Sequence, residues 1–331
     1  NVSLDSFKPE NFFALHESLL GKSLGSLVEE FPEESIDLNQ VEFSFFRRKS
    51  GGGRVLVTAL GAGGDSGAGG PLLFMRLSGP SRQRVMQSES MYRNAIESQQ
   101  IIRCATRSTV SEGTLCSGLN LGLDNRCVLP PFMPVQRGQD GIFASLVRAG
   151  GQGYFGYVPW IIWHHSMSGW TMTMQQRASG MRLGQIIEIL INSYKTFFDF
   201  DAAENTVAVG KMLEHLGSLS PEGFEDVIRK LSWATATHLI TQLDQLMQTF
   251  NREPAFWAAD VDEYLSLVRN SIAKPEYIIA SDLIPTFGVD GARTLTQRLI
   301  RRFGELLQIW PQMHQCAVDL RESGFNFGTQ I

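Results

Sequence analysis

The spacing of hydrophobic residues changes near residue 175, from a mixture of strand and helix patterns to an almost continuous helical pattern. Before this point, apolar residues three and four apart over residues 8–30 predict an amphipathic helix. The short run 54–60 is rich in β-branched residues and is bounded by turn formers, so it predicts a buried strand. Residues 72–77 predict a second strand, and residues 81–103 predict a helix.

After residue 175 the pattern predicts a series of helices. They cover residues 183–198, 220–250, 254–271 and 291–324. The second of them begins with Ser220 as a cap and Pro221 at the first helical position, an arrangement typical of helix starts. We expect Pro311 to kink or interrupt the last helix, because proline removes a backbone hydrogen bond.

The fold class predicted from these patterns has two portions. Residues 1–175 form an α/β portion, with a mixed sheet flanked by helices, and residues 176–331 form an all-α portion. The all-α portion either covers the first or provides an interface for a partner protein or a second copy of the chain.

Composition narrows the function classes. The net charge of −5 gives no general attraction to nucleic acid, so we expect no nucleic-acid partner. No run approaches the roughly 18 apolar residues of a membrane-spanning helix. The four cysteines include no CxxC pair, which indicates reduced thiols and a cytoplasmic location. The chain begins at Asn1 rather than methionine, so we expect that it was shortened at this end.

Candidate chemistry lies between residues 118 and 165. A polar segment containing Asp124-Asn125-Arg126 precedes Gln139-Asp140, which begins a predicted amphipathic helix. A helix start favours a negative charge, so the Asp140 carboxylate is suited to accept a proton. One strand later, Trp163 is followed by His164-His165, whose imidazoles are possible ligands of a divalent ion.

Each of these residues also has a purely structural interpretation. Asp140 is equally suited to cap its helix, and an Asp-Asn pair is ordinary turn chemistry. The histidines are compatible with a partly buried strand end. Trp163 suits either core packing or stacking on a sugar ring.

The order of these features over residues 54–170 resembles the acceptor-side half of GT-A type glycosyltransferases, the inverting nucleotide-sugar enzymes of the family 2 kind. That family carries an acidic pair, commonly Glu-Asp, where this chain has Gln139-Asp140. The resemblance implies that Asp140 is the general base that deprotonates an acceptor hydroxyl, and that His164 or His165 binds Mn²⁺ or Mg²⁺. The substrates implied are a nucleotide-sugar donor and a sugar, peptide or small-molecule acceptor. The candidate substrate-binding residues are Asn120, Asp124, Asn125, Arg126, Gln139 and Trp163.

One part of the family pattern is missing before residue 118, namely the nucleotide-binding half and its Asp-x-Asp motif. Asp199-Phe200-Asp201 and Asp260-Val261-Asp262 have that spacing but follow Asp140. We expect the first pair to end a helix and the second to begin one, where a helix start favours acidic residues. The resemblance therefore implies that the N-terminal nucleotide-binding half is not in this chain. The alternative is a non-catalytic scaffold or protein-interaction module with a degenerate glycosyltransferase-like fold.

Overall fold

The computed structural model describes residues 11–23, 25–27, 53–65, 70–98, 100–113, 115–118, 120–151, 153–165, 173–194 and 201–325. The strands in this part of the chain are β1 (Arg54–Gly64), β2 (Ile101–Arg103), β3 (Thr109–Ser111), β4 (Leu121–Leu123) and β5 (Gly153–His164). The helices before β5 are α1 (Phe12–Leu19), α2 (Pro71–Met75), α3 (Gly79–Val85), α4 (Glu89–Ser98) and α5 (Gln139–Ala149). The helices after β5 are α6 (Met174–Ala178), α7 (Leu183–Ser193), α8 (Ala202–Gly217), α9 (Pro221–Thr249), α10 (Ala255–Ile272) and α11 (Ile284–Glu322), with a 3₁₀ turn at Pro275–Ile278.

A long parallel pair, β1 and β5, forms the centre of a mixed sheet. Strand β3 pairs antiparallel with the outer edge of β5, while β2 and β4 pair antiparallel with successive stretches of the outer edge of β1. Helix α5 connects the sheet edge to β5 and packs on one face of the sheet, and α1 packs on the other. Because both faces are covered, β1 is buried along nearly its whole length. The predicted α/β portion with a mixed sheet flanked by helices, followed by a helical portion, is confirmed.

Two local predictions before residue 175 are wrong. Residues 72–75 belong to helix α2, which begins at Pro71. Its Phe74 and Met75 lie on one face and are buried against α9 and α10, and this packing favours the helix over the predicted strand. The single helix predicted over 81–103 is α3, α4 and the short strand β2. The break occurs where Ser88 begins a new helix, its hydroxyl accepting the backbone N–H of Met91 at 3.3 Å.

The helical portion follows its sequence pattern closely. Ser220 caps α9, its hydroxyl accepting the backbone N–H of Gly223 at 3.1 Å. Pro311 lies inside α11 and the helix continues through it, so the proline does not interrupt the helix, and the alternative of a kink at Pro311 stays a prediction. The non-helical residue is Gly288, at φ +67°. Packing supports the helix near the proline, since Trp310 donates its indole N–H to the backbone carbonyl of Leu129 at 2.6 Å.

Two hydrophobic clusters contain residues from both sides of residue 175. One joins Ile142 and Leu146 of α5 to α7, α8 and α11, and the other joins Met75 and Tyr92 to α9 and α10. The domain boundary at residue 175 stays a prediction, and the helices beyond it share cores with the elements before it. No helix in the described part of the chain is long and apolar enough to cross a membrane.

Candidate functional site

An open cleft of about 710 Å³ lies at the start of helix α5. It is lined by Gly118, Asn120, Leu121, Phe132, Gln136, Arg137, Gly138, Gln139 and Asp140. Of the predicted site residues, the structure therefore brings Asn120, Gln139 and Asp140 together. The lining combines amides, one guanidinium, one carboxylate and an aromatic ring, a mixture typical of sites for polar organic ligands.

Two backbone amides orient the Asp140 carboxylate. Its Oδ2 accepts the N–H of Gly118 at 3.3 Å, and its Oδ1 accepts the N–H of Gly141 at 3.0 Å. Asp140 lies in the first turn of α5, as the sequence predicted, where the free amides and the helix dipole favour a negative charge. A carboxylate held in this way on a cleft wall can accept a proton from a bound hydroxyl.

The loop before α5 has an unusual backbone. Gln136 has φ +67° and Gly138 has φ +94°, conformations that non-glycine residues adopt at a cost. Strained residues of this kind concentrate at ligand sites, where the surrounding structure holds them in place. Further back along the loop, the Trp310 indole binds the Leu129 carbonyl, so α11 supports the segment that lines the cleft.

A second carboxylate, Glu188 of helix α7, lies beside Asp140. It occupies the space next to Gly141, where a side chain on residue 141 would collide with its Oε1. Gly184, one turn earlier on α7, contacts the backbone of Arg137 and Gly138, which sets the approach of the two helices. Burial raises the pKa of Glu188 to about 7, and the neighbouring Asp140 charge adds to the shift.

Sequence reasoning missed Glu188. It is a glutamate within the strongly apolar run Leu183–Ser193, and a charged residue in a buried helical stripe is unusual enough to have drawn attention. Its pairing with Asp140, however, spans 48 residues and appears only when α5 and α7 pack together.

Cys116 is a buried cysteine close enough to Asp140 to be affected by its charge. Burial and the charge of Asp140 together raise the pKa of the Cys116 thiol to about 12. The residue is therefore a neutral thiol at physiological pH, and it lacks the thiolate character that a nucleophilic cysteine needs.

Three further predicted residues, Asp124, Asn125 and Arg126, lie outside the cleft lining, in the turn after β4. Asp124 is buried and accepts the Nε–H of Arg126 at 2.7 Å and its Nη2–H at 3.1 Å. These bonds hold the pKa of Asp124 below its ordinary value. Asn125 is exposed between them. The geometry is that of a side-chain-stabilised turn, and a substrate role for these three residues stays a prediction.

The remaining predicted residues form a separate group at the end of β5. His164 Nδ1 lies 3.1 Å from Asp65 Oδ1 at the end of β1, His165 is exposed, and the Trp163 ring, 60% exposed, covers Gly63. Helix α5 packs on β5 near Tyr157. His164 is seven residues further along the strand, roughly 23 Å at the usual rise per residue. The structure thus keeps Asp140, at the start of α5, apart from His164, at the end of β5.

The donor groups near His164 provide a test of the predicted metal site. Asp65 and His164 offer one carboxylate and one imidazole. Within the described ranges, no group of three or more His, Cys, Asp or Glu residues lies close enough to hold a metal ion. The described donors therefore do not make up a Mn²⁺ or Mg²⁺ site, the metal stays a prediction, and no step below depends on it.

The two acidic pairs after Asp140 have structural surroundings. Asp201 caps α8, accepting the backbone N–H of Glu204 at 2.7 Å, while Asp199 lies outside the described residues. Asp260 lies inside α10 rather than at its end, where it binds Arg93, and its neighbour Asp262 pairs with Arg252. The interpretation of the first pair as the end of a helix is wrong for Asp201, which begins α8 instead. The interpretation of the second pair as a helix start is wrong for Asp260, which lies inside α10 and is buried against another element.

Comparisons of this chain with known protein families, with curated proteins and with solved structures found no match.

Proposed function

We propose that this protein transfers a sugar from a nucleotide-sugar donor to an acceptor hydroxyl, with inversion at the sugar carbon and with Asp140 as the general base. One observation carries the proposal: the Asp140 carboxylate, held by two backbone amides, lies on the wall of an open polar cleft. The donor class comes from the glycosyltransferase resemblance of residues 54–170, and the cleft provides the acceptor side.

The chemistry assigned to the cleft is a single displacement. Asp140 removes the proton of the acceptor hydroxyl, so the O–H bond breaks and the proton binds the carboxylate. The oxygen uses the released electron pair to attack the anomeric carbon, and the nucleoside diphosphate leaves with the electrons of its bond. Glu188 supports this arrangement, because in its protonated form it places no second negative charge beside Asp140.

The test is release of nucleoside diphosphate from a panel of nucleotide sugars, with hydroxyl-bearing acceptors and Mn²⁺ present. Asp140→Asn keeps the shape of the side chain and removes the base, so turnover should fall by roughly 10²–10⁴-fold. The amide oxygen can still accept one of the two backbone N–H groups that Asp140 binds, and the other is lost. We therefore expect a loss of stability of only about 1 kcal/mol, so that the variant stays folded under the assay conditions.

Asp201→Asn is the matched control, since Asp201 is also a carboxylate at a helix start but lies outside the cleft lining. It should retain wild-type turnover. Equal turnover in wild type and Asp140→Asn would remove Asp140 from the reaction. If no nucleotide sugar is consumed and none raises the melting temperature, the non-catalytic interaction module becomes the better description.

A further inference from the structure

Phe132 presents an aromatic surface to the cleft. Its ring stacks on Phe143, with centroids 4.2 Å apart and planes inclined by 11°. Phe143 is fully buried against the sheet, so one face of the Phe132 ring is covered and supported. Phe132 itself is 38% exposed and lines the cleft, which leaves the opposite face as a flat apolar platform.

Planar polar side chains lie around this platform. Asn120, Gln136 and Gln139 each carry an amide that can both donate and accept hydrogen bonds. A flat aromatic surface beside several amides matches a sugar ring, because the ring has C–H bonds on one face and hydroxyl groups at its edge. The positive C–H hydrogens favour the negative face of the aromatic ring, and each hydroxyl needs both a donor and an acceptor.

The charges of the cleft favour a neutral ligand over a nucleoside diphosphate. The described lining has one cationic residue, Arg137, and one carboxylate, Asp140, and the Glu188 carboxyl group lies close enough to Asp140 to be affected by its charge. A diphosphate carries several negative charges and is normally held by clustered cations or a helix start free of carboxylates. Here Asp140 occupies the helix start itself.

We propose that this cleft binds a carbohydrate, with one sugar ring stacked on Phe132 and a hydroxyl of that sugar facing Asp140. The inference rests on the proposed function in one respect, since it identifies the acceptor of the transfer as a sugar. Phe143 follows Asp140 by three residues on α5, an axial rise of about 4.5 Å on the same side of the helix. Phe132 and Asp140 line the same cleft, so in the proposed complex the sugar ring rests on Phe132 and its edge is turned toward Asp140.

Saturation-transfer NMR on the full chain, with a panel of methyl pyranosides and disaccharides, tests the platform directly. The wild type should bind at least one member of the panel. Phe132→Leu keeps an apolar side chain on Phe143 but removes the π face, and should weaken that binding by about tenfold or more. Phe132→Tyr should restore it to within about threefold.

The matched control is Phe287→Leu, which changes an exposed phenylalanine of α11 that does not line the cleft and should leave sugar binding unchanged. Urea unfolding of each variant shows whether the fold is intact. The inference is overturned if no sugar binds the wild type, if uridine diphosphate saturates the cleft instead, or if Phe132→Leu binds as tightly as Phe132→Tyr.

Two outcomes distinguish this inference from the proposed function. If sugars bind through Phe132 but the wild type transfers nothing from any donor, the transferase function fails and the carbohydrate site stands. If the wild type transfers to a peptide or lipid hydroxyl and Phe132→Leu turns over normally, the transferase stands and the carbohydrate acceptor fails. Asp140→Asn should lose turnover while keeping its affinity for the sugar.

Discussion

The half-buried side chain of Glu188 can make the properties of the site depend on pH. Helices α5 and α7 approach closely because Gly138, Gly141 and Gly184 have no side chains at their contact. The Glu188 carboxylate occupies the resulting space, where burial raises its pKa from 4.5 to about 7. Near neutral pH Glu188 therefore gains or loses a proton, and with it the negative charge next to Asp140 changes. The charge of Asp140 contributes to the raised pKa of Glu188.

Glu188→Gln should remove a pH dependence of stability. The native state of the wild type keeps a proton that the unfolded chain loses above about pH 4.5, so its stability falls as pH rises from about 4.5 to 7. The glutamine variant avoids this loss and should be more stable than the wild type at pH 8, by on the order of 2 kcal/mol, with no difference at pH 4. Urea unfolding at pH 4, 6 and 8 measures the effect.

Glu97→Gln is the control for this experiment, because Glu97 is exposed on α4. Its unfolding midpoint should follow that of the wild type at every pH. If the Glu188→Gln and wild-type curves stay parallel between pH 4 and 8, Glu188 does not hold the extra proton.

Helices α8 and α11 touch through their backbones. Gly210 of α8 faces Gly304 of α11. A Cβ added to Gly304 would lie 2.6 Å from the Gly210 carbonyl oxygen, and a Cβ added to Gly210 would lie 2.8 Å from the Gly304 carbonyl oxygen. The Leu213 and Leu307 side chains are buried in the same core. The two glycines thus let the helices approach closely enough to bury these leucines.

Gly304→Ala should therefore destabilise the protein by about 1–2 kcal/mol. The added methyl group forces the helices apart, and the better helix propensity of alanine offsets only part of the cost. Gly223→Ala provides the comparison, because that methyl group would meet side-chain atoms at 3.3 Å or more in the first turn of α9. A lower urea midpoint for Gly304→Ala, with little change for Gly223→Ala, is the expected result. Equal midpoints would contradict close backbone packing.

On the scale of the whole molecule, long-range bonds join the early helices to the helical portion. Arg93 of α4 donates to both oxygens of the buried Asp260 carboxylate, at 2.8 and 2.7 Å. The Arg82 guanidinium lies between the rings of Phe250 and Trp257, 3.9 Å from each centroid. These contacts and the shared hydrophobic clusters make the helical portion part of the structure that holds the sheet and its cleft.

Asp260→Ala should destabilise the protein by about 1–2 kcal/mol, because it removes the buried carboxylate that Arg93 binds and leaves Arg93 with only the exposed Glu89. Asp262→Ala, two residues away, removes a carboxylate that pairs with Arg252 at the surface, and should cost less than about 1 kcal/mol. Chemical unfolding of the two variants side by side checks the difference. Similar losses in both would show that the Arg93–Asp260 pair contributes no more than a surface ion pair.

The sequence by itself determined the features that depend on neighbouring residues. Helical spacing and the Ser220 cap predicted α9, a β-branched run predicted β1, and the position of Asp140 predicted the start of α5. Each of these patterns can be recognised within a short segment of the sequence, because helix caps and side-chain periodicity involve residues that are close together in the chain. The same local reading failed at residues 72–77, where burial against other helices decided between helix and strand.

Only the tertiary structure decided which side chains meet. It placed Asp140 beside Glu188 and in one cleft with Phe132, and it set His164 apart with Asp65. Most of these partners are distant in the chain, and their contacts follow from how helices and sheet bury their apolar faces together. Local spacing carries no information about that packing, so the sequence could indicate a candidate base but not the side chains that surround it.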